Sequence, residues 1–479
     1  MKVILMKKTM IVGLSLTVFA FSGCALVHPT NPYRTAGIQM PGASERPAGL
    51  PSAKELERPL DLPLAIEIAL ANNPDIAATG WDVEAAQAQH DLVFGEMLPS
   101  LRAVGGYSHY NFPQRLIPKR GENAPGPFFN DQGAFGRDVV SEDLVLSMPL
   151  FTGGRLINQL KAAKLLKIAA NQRLARSRKE LIFNVSSVFF NILAQKRVVE
   201  SLEFSRQTLQ EHLKQVEALV TAQKAAKVDR MRTEVRLADI EQRLVREENV
   251  KVIYQRVLVN LLGLENPSGA ISVRGNLAVA QKASVPDLET ALATAWANRD
   301  DFLSARLSLE AQARNVDVAR AGHWPTLSLQ GTYGERWAIG SVSGAGDRDS
   351  EVYRIGIAVD IPIFEGGRVE ARVRDQRAKL ASAKERFRKL DLQIRLDVET
   401  TLLNVNSSWE RIEAIKKAIE QAQESFRIER QKYDFSKGAI VDVLDAQSAL
   451  LDSQTNYDRA LADYNIALAQ LRLAMGREL

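Results

Sequence analysis

Pro149-Leu150-Phe151-Thr152-Gly153-Gly154-Arg155 and Pro362-Ile363-Phe364-Glu365-Gly366-Gly367-Arg368 are one pattern written twice, 213 residues apart. In each, an apolar run ends in a glycine pair, and the chain beyond contains neither proline nor glycine from Arg155 to Val220 and from Arg368 to Lys437. The same displacement carries Lys224, Val228 and Asp229 onto Lys437, Val441 and Asp442, and Gly263 onto Gly476. Upstream, Ala69-Leu70-Ala71-Asn72 with Asp75 recurs as Ala295-Trp296-Ala297-Asn298 with Asp301, and Leu98-Pro99-Ser100-Leu101 as Trp324-Pro325-Thr326-Leu327, displaced by 226. Internal repetition fixes architecture before any local reading. The 13-residue loss is confined to one place, which marks a surface loop.

Working outward from the glycine pair, each uninterrupted run of about 66 residues predicts a helix near 100 Å long. Leu181, Val185, Val188, Ile192, Gln195, Val199, Leu202, Arg206, Leu209, Leu213, Val216 and Val220 step by four and three, the spacing of a coiled coil. Second helices, Val228 to Leu262 and Val441 to Met475, predict two antiparallel hairpins with tips near Lys224 and Lys437. Each copy opens with an Ala-rich helical pattern, Leu62 to Met97 and Asp287 to His323, ended by Pro99 or Pro325.

Between opening helix and glycine pair the period changes to two. Leu327, Leu329, Tyr333 and Trp337 alternate with Ser328, Gln330 and Thr332, and Tyr353, Ile355, Ile357, Val359 and Ile361 with Arg354, Gly356 and Asp360. Copy one supplies Leu101 to Asn111 and Val140 to Pro149, with Leu144, Leu146 and Met148 outward and Asp143 and Ser147 inward. These predict four strands of about 10 to 12 residues, the length that crosses a tilted bilayer. Tyr107, Tyr333, Trp337 and Tyr353 suit an interfacial aromatic girdle. Phe112 to Arg137 and Ala338 to Ser350, rich in turn residues, read as outer loops.

The amino end reads as a processing signal: Lys7 and Lys8 precede an apolar stretch from Met10 to Phe21, with Met1 or Met6 as the start. Phe21-Ser22-Gly23-Cys24 resembles the bacterial lipobox, in which the cysteine is lipidated, for example with palmitate; Ala25 resembles lipoproteins sorted to the outer membrane. The organisation expected is a signal peptide at 1–23, a lipidated tether at 24–60, a first repeat at 61–263, a linker at 264–286 and a second repeat at 287–479.

Composition excludes more than it proposes. Cys24 is the only cysteine and there are five histidines, so neither a disulfide nor a clustered zinc or iron site is expected. No phosphate-binding glycine loop, nucleophile elbow or zincin motif occurs; the chain reads as no enzyme, with no cofactor. Of the net charge of +5, Lys2, Lys7 and Lys8 fall in the removable segment. The basic run Arg155, Lys161, Lys164, Lys167, Arg173, Arg176, Arg178 and Lys179 lacks interleaved aromatics, so it predicts a solvated face, or contact with anionic lipid, rather than nucleic-acid binding.

Four membrane-length strands cannot close a barrel, and an open edge in lipid leaves backbone groups unpaired. Oligomerisation follows: two chains give eight strands and a filled interior, three give twelve and a pore. The fold class expected is α+β, mostly helical: a duplicated unit of long coiled-coil hairpins with four transmembrane strands per chain, closing as a barrel between copies and continued away from the membrane by a tube of helices.

The doubled Pro-x-Phe-x-Gly-Gly-Arg turn, together with Gly438-Ala439-Ile440-Val441-Asp442-Val443-Leu444-Asp445-Ala446, resembles the TolC-like outer membrane efflux factors over nearly the whole mature chain. The resemblance implies a homotrimer in outer membrane lipid, closed as a trimeric 12-stranded β-barrel above an α-helical periplasmic tunnel, that docks through a periplasmic adaptor onto an inner-membrane pump. It implies a periplasmic aperture ringed by Asp442 and Asp445, with Asp229 at the equivalent tip of copy one. The closed state implied is held by Tyr433, Asp229 and an arginine whose place is taken by Gly438, leaving Lys437 as the substitute base. The family's adaptor contact is replaced by Ala222-Gln223-Lys224. The alternative reading is a lipid-anchored periplasmic coiled-coil scaffold or adaptor whose strands form a soluble sheet.

Overall fold

The computed structural model of the chain describes residues 59–115, 135–264, 271–277, 281–339, 350–435 and 437–477. The expected signal peptide and Cys24 lie outside the described residues, with the tether as far as residue 58 and most of both outer loops.

Both glycine turns form as the pattern requires. Gly153 and Gly154 have φ of 62° and 83°, Gly366 and Gly367 61° and 76°. Two consecutive left-handed residues reverse the chain tightly, a conformation that penalises any side chain. Each pair launches a helix of 67 residues, α3 (Arg155–Thr221) and α7 (Arg368–Asp434). Returning helices α4 (Lys227–Leu261) and α8 (Ile440–Ala474) have 35 residues each, half that length. They cover the far half of each long helix, while the half nearer the sheet packs on α2 (Pro74–Gly95) and α6 (Asp300–Arg320). The expected seam holds: Leu181, Val185, Ile192, Gln195, Val199, Leu202, Leu209 and Val216 are buried, and the other four positions partly so.

One expectation fails twice in the same way. The opening helix of each copy is two helices, α1 (Leu62–Asn72) with α2, and α5 (Leu288–Asn298) with α6. Asn73 is extended (φ −66°, ψ 125°) because Pro74 bars its preceding residue from the helical region, and its side chain caps α2 by accepting from the amides of Asp75 and Ile76. Arg299, the counterpart, is extended without a following proline (φ −74°, ψ 115°). Both breaks touch the end of the returning helix: Asn73 Nδ2 donates to the Leu261 carbonyl at 3.0 Å, and Arg299 Nη1 to that of Ala474 at 3.5 Å.

The strands β1 (Ser100–Arg115), β2 (Phe135–Phe151), β3 (Thr326–Ile339) and β4 (Ser350–Asp360) form an antiparallel sheet in the order β1-β2-β3-β4. At 16, 17, 14 and 11 residues, three exceed the expected length. Their ladders continue outward into stretches whose alternation is broken by His109, Asp138 and Glu335, where a periodicity test stops. Register puts Leu101, Leu146, Gly331 and Ile355 on one face, with Leu144, Tyr333 and Tyr353 beside them; Tyr107, Tyr333 and Tyr353 are all exposed there. Asp143 and Ser147 lie on the opposite, polar face with Gln330, Thr332, Arg336 and Arg354. Among the described residues, no helix packs on the apolar face.

The helical core has two parts. One surrounds Phe189, Leu258, Ile394 and Tyr464 where the short helices meet the long ones. The other, nearer the tips, joins Leu202, Leu209, Ile240, Leu244, Ile440 and Leu451.

Candidate gate at the helical tips

Each tip is a turn closed by the same backbone bond. The amide of Lys224 donates to the Leu219 carbonyl at 2.8 Å, and that of Lys437 to the Lys432 carbonyl at 2.7 Å, six-residue closures that terminate α3 and α7. Gln223 reaches φ 57° to make the first, the one non-glycine with positive φ among the described residues.

Beyond the turns, Asp229 and Asp442 occupy the first turns of α4 and α8, where the helix dipole favours a carboxylate. Their surroundings differ. Asp442 and Asp445 are exposed while Val443 and Leu444 between them are buried, so the apolar pair fixes α8 against the chain's own core and the carboxylates project away from it. Asp229 is half-buried. Asp445 also lines an open groove between α4 and α8 with Met231, Arg232, Val235, Arg236 and Asp239.

Tyr433 packs on the lower core, its ring 5.6 Å from that of His212 in an edge-to-face contact. Burial and the nearby carboxylates of Asp229 and Asp434 push the Tyr433 hydroxyl above its ordinary range. Burial holds the His212 imidazole below its usual range, reinforced by Arg430 and opposed by hydrogen bonding to Gln215 and by Asp434. His212 Nε2 is buried without a hydrogen-bond partner. Tyr433 therefore lies within the field of the Asp229 carboxylate, while the Lys437 side chain makes no ion pair among the described residues. At Gly438 a Cβ would lie 3.0 Å from the Lys432 Cβ and 3.3 Å from the Tyr433 amide nitrogen. The end of α7 thus crowds the position of Gly438.

The sequence reading missed His212, which no repeat or motif marks, and also a second polar cluster. Arg299, its side chain 4% exposed, donates from Nε and Nη2 to both oxygens of Asp301 at 3.0 and 2.7 Å, and from Nη1 to Asp397 at 3.1 Å. Beside it Lys179 pairs with Asp300 at 2.7 Å and donates to the Gly476 carbonyl, while Arg176 donates to that of Leu473. These two bases of the expected solvated run are instead sequestered, capping the carboxyl end of α8. The displacements were the available signal, since 226 relates Asn73 to Arg299 and 213 relates Leu261 to Ala474.

Among the described residues no helix is long and apolar enough to cross a membrane, and no group of three metal-ligating side chains converges. Long paired helices running from one end of a sheet with a bare apolar face define a channel-forming class in which the strands meet the lipid. The chain belongs to the outer membrane efflux protein family, whose model matches residues 65–264 and 291–477. It is similar to outer membrane protein TolC of Escherichia coli, 23% identical over 85% of this chain and 80% of that protein, and to outer membrane protein OprJ of Pseudomonas aeruginosa, 24% identical over 86% and 83%. The fold matches that of the outer membrane protein VceC of Vibrio cholerae with a TM-score of 0.73 at 19% identity, covering 89% of this chain and 99% of that one. Membership makes the chain a passive outer membrane efflux channel, not an enzyme, and sets aside the scaffold reading.

Proposed function

We propose that three copies close a 12-stranded barrel over a helical periplasmic tunnel, anchored by lipid at Cys24, which receives substrate from an inner-membrane pump through a periplasmic adaptor. Within that assembly the aperture is formed at the tips by Asp442 and Asp445, with Asp229, Tyr433 and Lys437 holding its closed state.

One observation carries the closure. The seam between repeats inside the chain is filled: Ser304 on α6 donates to the Ala169 carbonyl on α3 at 3.0 Å, with both residues buried, and the position of a Gly153 Cβ lies 2.6 Å from that of Trp324. Moving those contacts by the repeat displacements gives Ala78 against Ser382 and Leu98 against Gly366. Ala78 and Ser382 are exposed, Leu98 is 49% exposed, and Gly366 has nothing within 4 Å. The second seam is bare in one chain and complete when a second copy supplies its α2 to α7. The free edges of β1 and β4 are satisfied by the same step.

Replacing Ala78 and Ser382 with cysteine tests this directly. Oxidised outer membranes yield a covalent trimer on denaturing gels, and neither single substitution does. A ladder ending at the dimer, or only monomer beside a native mass of one chain, refutes the closure.

A further inference from the structure

The polar face of the sheet is unevenly charged. It carries Arg102, Arg137, Arg336 and Arg354 against Asp143 and Asp360. Asp143 is already committed: its oxygens lie 3.3 and 3.4 Å from Arg336 Nη2. It is also held over Gly334, where a Cβ would stand 2.2 Å from Oδ1. Asp360 sits at the tunnel end of β4, opposite Thr326. Arg102 and Arg354 are exposed and make no hydrogen bond or ion pair among the described residues. They occupy one register line, Arg102 opposite Val145, Val145 opposite Thr332 and Thr332 opposite Arg354, and stand on the two edge strands. Closure between copies therefore brings β4 with Arg354 beside β1 with Arg102 of the next copy.

We infer that Arg102 and Arg354 form a cationic belt inside the barrel that favours anionic solutes at the outer end of the conduit. This rests on the closed barrel proposed above. Twelve strands spaced about 4.8 Å apart and tilted about 40° enclose a backbone radius of roughly 12 Å. The Debye length at 0.1 M salt is about 10 Å, so side chains reaching inward from that wall act on the whole lumen. The sign of the belt is opposite to that of the carboxylates at the tips, so the conduit carries two filters of opposite charge in series.

The test is the reversal potential of the purified trimer in planar bilayers under a potassium chloride gradient, in an Asp442→Asn, Asp445→Asn parent that lacks the opposing carboxylates. The parent passes chloride in preference to potassium at 0.1 M. Adding Arg102→Gln and Arg354→Gln lowers the chloride-to-potassium permeability ratio by about two- to fivefold, and by much less at 1 M, where screening shortens to about 3 Å. An unchanged ratio in a conducting trimer overturns the belt and leaves the barrel standing. A parent that prefers potassium at 0.1 M overturns it without recourse to the arginine variants. Failure to find a trimer overturns the closed barrel, and the belt with it.

Discussion

Removing Arg299 unpairs a buried charge cluster. Its guanidinium is 4% exposed and holds Asp301 through two bonds, Asp397 through one and the Ala474 carbonyl through a longer one. Arg299→Ala leaves two carboxylates without their base. Removing one partner of a fully buried pair costs about 3 to 5 kcal/mol. The Asp301 and Asp397 side chains are 25% and 34% exposed, so water recovers part of their solvation and the expected loss is about 2 to 3 kcal/mol. The assay is thermal unfolding of the full chain in mild detergent, with the exposed Arg306→Ala as control and Arg299→Ala, Asp301→Ala as the second corner of a cycle. The double variant recovers part of the loss, because one orphaned charge goes with the arginine. pH supplies a second reading. Burial would raise the Asp301 carboxyl, but the hydrogen bonds and charge of Arg299 override it and hold it low. A folded-state value below the unfolded one adds stability that is full above about pH 4 and is lost as the pH falls through the lower folded value. The gap between the native chain and Arg299→Ala therefore narrows in acid. A loss no larger than that of Arg306→Ala, or a gap constant between pH 7 and 3, refutes the reasoning.

Gly366→Ala meets nothing among the described residues, yet it falls in the seam where the proposed trimer puts Leu98 of a neighbouring copy. Trimer yield drops beyond the roughly 1 kcal/mol of left-handed strain, and native gels of the variant beside Gly154→Ala check it. Asp442→Ala with Asp445→Ala weakens cation preference and block by multivalent cations in single-channel recordings; unchanged conductance removes both residues from the aperture. His212, with its pKa depressed by burial, supports the tip fully above about pH 6.5 and less as the pH falls towards its folded value. Proteolysis at the tips accelerates between pH 7.5 and 5.5 in the native chain but not in His212→Phe, and equal acceleration in both counts against the assignment.

The two glycine turns, the long helices and the alternating strand cores were legible because each depends on a local rule: positive φ, uninterrupted helix formers, a period of two. The breaks at Asn73 and Arg299 were harder for different reasons. Asn73 precedes a proline and could be read; Arg299 is set by tertiary bonds to Asp301, Asp397 and Ala474 that no local window contains. Of the gate, the carboxylates were visible through the repeat and the motif, but their separation from the core was not, since only the burial of Val443 and Leu444 decides which way Asp442 and Asp445 project. His212 was invisible because its partner Tyr433 lies on a different helix, more than two hundred residues away.

The two seams, one filled within the chain and one left bare, bear on how such a ring is made. Six separate half-length units would each have to find neighbours by diffusion. Joining the repeats turns alternate encounters into intramolecular ones, at an effective concentration in the millimolar range for a short connection. Assembly of the proposed trimer then depends on the third power of chain concentration rather than the sixth. A covalent pair is also free to diverge, as Gly438 and Gln223 already do near the two tips.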